Sequence, residues 1–316
     1  MKAVVINEHG GPEVVECKDV PIPHPKHGEI QINVNFASVN PVDWKIRDGL
    51  VQGLFVHEFP IILGWDVAGV VSQCGEGVSD FNVGDEVFAF CRKDVVSDGS
   101  FADYVCVNER NVAIKPKKIS MASASSLPLS GLTAWQALFD FSKVKEGDVV
   151  LLHAGAGGVG SLAIQFAKHA KATVITTASQ RNHEYVKGLG ADIVIDYTKE
   201  SFIEVIKEKF PEGIDMAFDC VGGETSTDSL PLVKKGGSLV SVCSPIDEDL
   251  GLTRGVRTGF FVVTPNGTQL KTIASLVDSG KVKIPTIEVF PFEHAVKALE
   301  KNKQGHTQGK IVLKIN

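Results

Sequence analysis

A glycine-rich segment at residues 154–160 constrains the fold more than any other feature of this chain. It reads Ala-Gly-Ala-Gly-Gly-Val-Gly and follows the apolar run 148–153, which predicts a buried strand, while a helical pattern begins at Ser161. A glycine loop between a strand and a helix lets the backbone approach a pyrophosphate, and the helix start supplies N–H groups and the positive end of the helix dipole. We therefore predict a dinucleotide site here; a tight turn without a ligand is the alternative. The predicted contacts are Gly155, Gly157, Gly158, Val159 and Gly160.

Short apolar runs alternate with helical patterns from residue 149 to residue 263. In one predicted helix, Leu162, Phe166 and Ala170 share a face. Strands that alternate with helices imply a parallel sheet with right-handed crossovers. The predicted strands are 149–153, 173–177, 192–196, 214–219, 238–242 and 260–263.

The first hundred residues show the alternation of half-buried strands instead. In the segment 29–36, Ile30, Ile32 and Val34 lie on one face and polar residues on the other. Gly-rich or Pro-rich turns separate several such segments, which predicts an antiparallel β domain. The final run 310–315 alternates in the same way, so we expect it to rejoin that domain. Residues 120–139 are predicted to be helical, with Pro128 dividing the helix.

Charge and cysteine content exclude several classes of protein. The chain has 316 residues, with 32 Lys and Arg against 38 Asp and Glu, a net charge of −6 that disfavours a nucleic-acid partner. Its six cysteines form no C-x-x-C pair, which is typical of thiols in a reducing compartment. Two long uncharged stretches, 119–139 and 149–167, do not resemble membrane spans, because the first contains Pro128 and the second is interrupted by four glycines. The N-terminus becomes polar too soon for a signal peptide. We expect a cytoplasmic protein.

The second strand of the parallel sheet indicates which dinucleotide binds. An acidic residue at the end of that strand would hydrogen-bond the adenosine ribose of NAD. The chain has Ser179 and Arg181 there and no acid. A hydroxyl and a guanidinium would bind a 2′-phosphate through charge-assisted hydrogen bonds, so we predict NADP(H). The alternative is that Arg181 and Asn182 only begin the next helix as solvated residues.

With these features the chain resembles the medium-chain dehydrogenase/reductase superfamily, and within it the zinc-free quinone oxidoreductase branch. The resemblance runs the whole length of the chain. The segments that carry it are 37–45, 64–71, 83–87, 129–135, the glycine loop, 189–192 and 309–312.

The resemblance implies an α/β fold with two domains. A GroES-like antiparallel β domain would comprise residues 1–121 and 275–316, around an inserted Rossmann domain with a doubly wound parallel sheet at residues 122–274. The active site is expected in a cleft between them. A homodimer is also implied, often formed through an edge strand of the nucleotide sheet, although the apolar run 260–263 could equally be a central strand.

The zinc ligands of related dehydrogenases are missing from this sequence. Asp43 stands where zinc-containing members have a catalytic cysteine, and Trp65 stands where they have a histidine. No cysteine lies between Cys106 and Cys220, so the later ligand is missing as well. Since zinc needs about four N, S or O ligands, we predict no metal.

The resemblance assigns further cofactor contacts position by position. Asn40 and Lys45 would contact the nicotinamide end and the phosphates, Thr133 the nicotinamide ribose, and Tyr197 the 2′-phosphate. The backbone of Phe261 and Val263 would face the carboxamide of the nicotinamide. Gly309 and Lys310 would form a turn near the bound cofactor. Ordinary packing is the alternative for Thr133, Phe261 and Val263.

Hydride transfer without zinc favours an electron-poor acceptor. A quinone or an α,β-unsaturated carbonyl leaves its charge on a conjugated oxygen, whereas alcohol oxidation needs a Lewis acid. We predict such a small-molecule substrate, and no side chain is assigned as proton donor. Asp43 could be a general acid, but pairing with Lys45 or Arg47 is favoured. The predicted pocket residues are Asp43, Trp44, Leu50, Phe55 and Trp65.

Two other functions stay open. Enoyl-thioester reductases of this superfamily use a tyrosine donor in the N-terminal domain, but none of the three tyrosines lies within residues 40–59. An NADPH-binding redox sensor with little turnover is the other alternative.

Overall fold

The computed structural model describes residues 1–316 and divides the chain into two compact units. The first unit comprises residues 1–132, 264–280 and 284–316, and the second comprises residues 133–263 and 281–283. The first border thus lies after Leu132 rather than after residue 121, because helix 121–125 packs on five strands of the first unit.

Eighteen strands and ten α-helices are numbered here in chain order. The strands are β1 (Lys2–Ile6), β2 (Val15–Asp19), β3 (Glu29–Val39), β4 (Val56–His57), β5 (Ile61–Ile62), β6 (Asp66–Cys74), β7 (Glu86–Phe90), β8 (Val95–Val96), β9 (Tyr104–Asn108), β10 (Val112–Ile114), β11 (Val149–Leu152), β12 (Thr173–Thr177), β13 (Ile193–Ile195), β14 (Ile214–Asp219), β15 (Val233–Ser241), β16 (Arg257–Phe260), β17 (Ile287–Pro291) and β18 (Lys310–Lys314). The helices are α1 (Pro41–Arg47), α2 (Met121–Ser125), α3 (Pro128–Trp135), α4 (Gly158–His169), α5 (His183–Gly188), α6 (Phe202–Lys209), α7 (Thr225–Ser229), α8 (Glu248–Arg254), α9 (Gly267–Asp278) and α10 (Ala295–Gln304).

The first unit is mainly antiparallel. Its largest sheet has the order β10-β7-β6-β3-β18-β17, with β9 also paired to β3, and a smaller sheet has the order β2-β1-β5. Ile30, Ile32 and Val34 on β3 are fully buried, as their alternation predicts. The last strand pairs antiparallel with β3, where Leu313 faces Ala37, so the expected return of the C-terminal strand is confirmed.

The second unit contains a parallel sheet of six strands in the order β13-β12-β11-β14-β15-β16. Leu151, Ile175 and Leu239 are among the residues of its buried core. Sequence patterning predicts the bounds of β12 and β14 to the residue, because apolar runs in a buried parallel strand end where the chain turns to polar loops. The predicted α/β fold is confirmed.

Two predicted elements differ in detail. The helical region 120–139 is divided at Pro128 as expected, but it ends in a π-helical segment, Gln136–Phe141. The predicted strand 260–263 is wrong in position, since β16 ends at Phe260. Phe261 and Val263 are apolar for burial rather than for strand pairing, and Val263 is 6% exposed.

Candidate active site

The glycine loop follows β11 directly and leads into α4. Two of its glycines are required by packing: a Cβ on Gly155 would lie 2.1 Å from Thr176 Oγ1, and one on Gly160 would lie 2.3 Å from the Ala154 carbonyl oxygen. Gly157 differs, because its nearest neighbour would be that same carbonyl oxygen at 3.4 Å, an ordinary contact. The missing side chain of Gly157 therefore leaves space in front of the helix.

Helix α4 gives this space a positive character. It has twelve residues and begins at Gly158, with Gly157 as its N-cap residue. The N–H groups of Gly158, Val159 and Gly160 lie in the first turn, where a helix offers no backbone acceptor of its own. Space without a side chain, beside these N–H groups, suits the pyrophosphate of a dinucleotide.

The residues predicted to contact a 2′-phosphate lie at the carboxyl ends of β12 and β13. Ser179 precedes a 3₁₀ turn, Gln180–Asn182, and accepts a hydrogen bond from Asn182 Nδ2 at 3.4 Å. Arg181 is exposed. Tyr197 follows β13 and is 50% exposed. Because β12 and β13 are parallel neighbours, these side chains belong to one edge of the sheet.

Sequence reasoning missed a second cation at this edge. Lys199 Nζ lies 3.4 Å from Gln180 Oε1, in the 3₁₀ turn that contains Arg181. Asp196 is the carboxylate at the end of β13, but Thr198 donates to it from both its backbone N–H and its hydroxyl, which lowers the pKa of Asp196. Lys199 could have been found from the sequence, because it lies two residues after Tyr197, which was predicted to contact the 2′-phosphate at the end of the same strand.

A buried polar cluster occupies the first unit. Asp66, on β6, has no exposed surface and accepts hydrogen bonds from Ser38 Oγ at 2.6 Å, Asn40 Nδ2 at 2.9 Å and Leu129 N–H at 2.6 Å. Lys310 Nζ lies 3.6 Å from the same carboxylate and donates to Asn40 Oδ1. Burial raises the pKa of Asp66 and lowers that of Lys310, and the opposite charges limit both shifts.

These contacts show how Asn40 and Lys310 are held. Both polar atoms of the Asn40 amide are bonded within the first unit, and Lys310 also donates to the Val39 carbonyl at 3.2 Å. Their predicted contact with the cofactor stays a prediction. The sequence alone does not single out Ser38 or Asp66, and its one signal here is an acidic residue beside apolar residues at the start of the predicted strand 66–72.

Burial favours the neutral form of the Asp43 carboxyl group. It has no exposed surface, and burial raises its pKa to about 8. Its Oδ2 accepts the Asn40 N–H at 2.7 Å, while its Oδ1 is buried without a hydrogen-bond partner. A protonated carboxyl avoids the cost of an uncompensated buried charge.

The favoured pairing of Asp43 with Lys45 or Arg47 is wrong. Arg47 is fully buried and its Nη1 lies 2.6 Å from Glu300 Oε1 on α10, while its Nη2 lies 2.7 Å from Asp48. Lys45 Nζ lies over the ring of Trp44, 5.7 Å from its centroid. Asp43 instead accepts the Asn40 N–H at the start of α1, and its carboxyl group forms no ion pair with either cation.

The other predicted pocket residues have different surroundings. Trp65 is 5% exposed and forms an aromatic cluster with Phe55, at 5.2 Å between ring centroids, and Phe90. Trp44 Nε1 donates to Asn302 Oδ1 at 3.2 Å. Leu50 is 66% exposed. Their contact with a substrate stays a prediction.

The remaining cofactor candidates are Thr133, Phe261, Val263 and Gly309. Gly309 has a φ of 70°, and a Cβ there would lie 2.0 Å from the Thr286 carbonyl oxygen, so only glycine fits. Thr133 is buried in α3. Phe261 and Val263 directly follow β16, the last strand in the sheet order.

No group of three or more His, Cys, Asp or Glu side chains is placed to hold a metal ion. The predicted absence of zinc stays a prediction. None of the ten helices combines the length and the apolar character that crossing a bilayer requires.

Comparison with known proteins identifies both halves of the chain. Residues 26–117 match the alcohol dehydrogenase GroES-like domain, and residues 189–313 match a family described as zinc-binding dehydrogenase. The chain is 37% identical over 323 residues to the chloroplastic NADPH-dependent alkenal/one oxidoreductase of Arabidopsis thaliana, covering 99% of this chain and 79% of that protein.

Solved structures of quinone oxidoreductases are similar to this chain over nearly its whole length. The quinone oxidoreductase of Coxiella burnetii superposes with a TM-score of 0.89 at 36% identity, covering 100% of this chain and 99% of that one. The Escherichia coli quinone oxidoreductase complexed with NADPH also gives a TM-score of 0.89, at 27% identity, with 99% and 100% covered.

The matched domain types, together with the glycine loop, are those of medium-chain dehydrogenases/reductases. The chain belongs to this superfamily, in its quinone oxidoreductase branch. It is therefore an oxidoreductase with a nicotinamide dinucleotide site.

Proposed function

We propose that this protein transfers a hydride from NADPH to a quinone or an α,β-unsaturated carbonyl without a metal ion. The observation that carries the cofactor choice is the edge at β12 and β13, where Ser179, Arg181 and Lys199 lie near each other in the fold and the only strand-end carboxylate is bonded to Thr198. Two relatives support the proposal, since one is named NADPH-dependent and one was solved with NADPH.

The chain's own residues provide the binding contacts. The first-turn N–H groups of α4 would bind the pyrophosphate, and the space left by Gly157 would let it approach. Arg181 and Lys199 would offset the 2′-phosphate charge, with Ser179 donating a hydrogen bond. When bound, NADPH supplies the hydride. Tyr197 is proposed to lie against the 2′-phosphate at the adenosine end. The other proposed cofactor contacts are Asn40, Lys45, Thr133, Phe261, Val263, Gly309 and Lys310.

The substrate side would be mostly apolar. Trp44, Leu50, Phe55 and Trp65 are the proposed wall, and Asp43 in its neutral form would add no negative charge to repel the developing oxyanion of the substrate. Orientation and proximity would then be the protein's main contribution, and solvent can protonate the product. No side chain is proposed as proton donor.

The test compares cofactors and acceptors in one assay. The purified protein is given NADPH or NADH with a benzoquinone, an alkenal, an enone and an enoyl thioester, after dialysis against a chelator. We expect turnover of the quinone, alkenal or enone, a higher kcat/KM with NADPH, and no loss of rate after chelation. A preference for NADH, or a rate restored only by added zinc, would contradict the proposal.

The same panel separates the two alternatives. Turnover of the enoyl thioester alone would indicate an enoyl-thioester reductase. Tight NADPH binding with no turnover of any acceptor would indicate a redox sensor. The absence of a tyrosine within residues 40–59 disfavours the first alternative.

We also propose a homodimer formed through β16. This strand ends the sheet order, so its outer backbone groups have no partner strand within the chain, and paired edges are a common way to satisfy them. Light scattering in solution tests this: a mass of twice the chain is expected, and a monomer at micromolar concentration would contradict it. A cytoplasmic location and the absence of a nucleic-acid partner stay predictions.

A further inference from the structure

A buried histidine lies directly before the glycine loop and has no part in the contacts described so far. His153 is 2% exposed. Its Nε2 lies 2.9 Å from Ser229 Oγ on α7, and its Nδ1 lies 3.3 Å from Thr177 Oγ1 at the end of β12. Thr177 Oγ1 in turn accepts the backbone N–H of Ala154 at 3.1 Å. The imidazole thus joins α7 to the first residue of the loop.

The hydrogen positions in this chain of contacts follow from counting donors. Ser229 has one hydroxyl hydrogen and donates it to the Thr225 carbonyl at 2.7 Å, so His153 Nε2 must be the donor to Ser229. Nδ1 is then an acceptor, and the Thr177 hydroxyl donates to it while accepting from Ala154. A single tautomer satisfies every group.

The surroundings of His153 keep this tautomer fixed. Burial lowers the pKa of His153 to about 4, and the nearby Asp219 opposes the shift only in part. The Asp219 carboxylate is bonded to Ser226 Oγ and to the N–H groups of Val221 and Gly222. On the remaining side, the ring of Phe202 on α6 meets the imidazole edge-on at 4.8 Å. Burial therefore favours the neutral imidazole at neutral pH, with its single N–H hydrogen on Nε2.

Ala154 is the residue that this contact holds. Its φ is 57°, in the left-handed region that costs a residue with a Cβ about 1 kcal/mol. Its carbonyl accepts the Gly157 N–H at 3.0 Å and lies against Gly160. The conformation of Ala154 therefore sets where Gly157 and the start of α4 lie.

We propose that His153 is a positioning residue for the dinucleotide loop. By accepting the Thr177 hydroxyl hydrogen, it orients that oxygen to receive the Ala154 N–H, and so holds Ala154 in its left-handed conformation with the loop open to a pyrophosphate. The proposal rests on the cofactor site proposed above. His153 itself is buried, and no contact with cofactor or substrate is proposed for it.

Two substitutions of His153 distinguish the hydrogen bond of Nδ1 from that of Nε2. In His153→Asn the amide oxygen stands near the place of Nδ1 and can still accept from Thr177. In His153→Gln the amide nitrogen stands near the place of Nε2, so the bond to Ser229 can form while Thr177 loses its acceptor. A role in packing alone would affect both variants alike.

The first measurement is NADPH affinity without turnover, by quenching of tryptophan fluorescence. We expect His153→Gln to raise the Kd about tenfold, the effect of losing one buried hydrogen bond, and His153→Asn to raise it less than about threefold. In steady-state kinetics the KM for NADPH should rise in His153→Gln more than kcat falls. His24→Gln, at an exposed position of the first unit, is the control.

The second measurement needs no cofactor. Amide hydrogen exchange at Ala154 should be slow in the wild type and in His153→Asn, and faster in His153→Gln. Adding Ala154→Gly to His153→Gln should bring the Kd back toward the wild-type value, because glycine adopts a positive φ without the steric cost.

Equal Kd values and equal Ala154 exchange in the Asn and Gln variants would overturn the proposal, as would a failure of Ala154→Gly to restore affinity. If the wild type binds no NADPH, the proposed cofactor site is wrong. Exchange at Ala154 would still show whether His153 positions the loop, so the two failures are distinguishable.

Discussion

Arg47 Nη1 lies 2.6 Å from Glu300 Oε1, so α1 is joined to α10 by a guanidinium group with no exposed surface. Arg47 also contacts Asp48, one residue along the chain. Removing the charge of Glu300 leaves part of a buried cation without its partner. We expect Glu300→Gln to lower the free energy of unfolding by about 1–2 kcal/mol, measured by urea denaturation.

A matched ion pair provides the control. Lys301 Nζ and Glu288 Oε1 lie at the same distance, 2.6 Å, but both side chains are nearly half exposed. Exposed pairs contribute little, so Glu288→Gln should change stability by less than about 0.5 kcal/mol. Equal losses in the two variants would show that burial of Arg47 does not decide the strength of its pair.

Asp43 should make the protein less stable as pH rises. Its pKa is about 8 in the fold against an ordinary value of 3.8, so between these values the folded state holds a proton that the unfolded state has lost. Folding stability therefore falls with pH through this window and levels off above about pH 8. Asp43→Asn has no such proton and can still accept the Asn40 N–H through its amide oxygen.

The measurement is urea unfolding of both proteins across this range of pH. The stability of Asp43→Asn relative to the wild type should increase up to about pH 8 and then stay constant. Asp98→Asn, at a carboxylate that is 53% exposed, should show no such trend. A constant difference between Asp43→Asn and the wild type would mean that Asp43 is charged in the fold at neutral pH.

The glycines of the loop should separate into two kinds. Gly160→Ala places a methyl group 2.3 Å from the Ala154 carbonyl oxygen, so we expect a loss of about 1–3 kcal/mol in stability. Gly157 has a φ of −77° and room for a methyl group, so Gly157→Ala should keep its stability or gain up to about 1 kcal/mol.

Although Gly157→Ala should not lower stability, it should weaken the binding of NADPH. Its new methyl group would occupy the space in front of α4, and we expect the Kd for NADPH to rise at least about tenfold. Thermal unfolding and fluorescence titration measure the two effects. Unchanged NADPH affinity in a stable Gly157→Ala protein would place the pyrophosphate elsewhere.

The nucleotide-binding half could be predicted from sequence because its signals are local. The glycine loop, the run 173–177 and Arg181 follow one another along the chain, and each carries its own pattern. Apolar character alone misplaced β16, since Phe261 and Val263 are apolar without belonging to the strand. A short run of apolar residues is expected both in a buried strand and in a buried segment that pairs with no strand, so the sequence does not distinguish them.

The polar cluster of the first unit could not be predicted in this way. Ser38 and Asp66 are 28 residues apart, and Asn40 and Lys310 are 270 residues apart, so only the fold brings them together. The same holds for Arg47, whose partner on α10 lies 253 residues away and replaces the nearby Asp43. Oppositely charged residues close together on a helix are candidates for an ion pair, but the direction of each side chain determines whether the pair forms.

Arg181 should decide between the two nicotinamide cofactors. It is exposed at the end of β12, and Lys199 lies at the same edge beside Gln180. A charged hydrogen bond to a 2′-phosphate contributes about 1.5–3 kcal/mol, so Arg181→Ala should raise the KM for NADPH by about 10- to 100-fold. NADH has no 2′-phosphate, so its KM should change less than about twofold.

Steady-state kinetics with one quinone acceptor measures both constants. Lys207→Ala removes an exposed cation of α6 that pairs only with Glu204, and it should affect neither cofactor. Lys199→Ala should fall between the two, because its ammonium group is shared with Asp196 at 3.7 Å. If Arg181→Ala weakened NADH and NADPH equally, the guanidinium would be contacting a part common to both cofactors, and the 2′-phosphate site would have to be assigned to other residues.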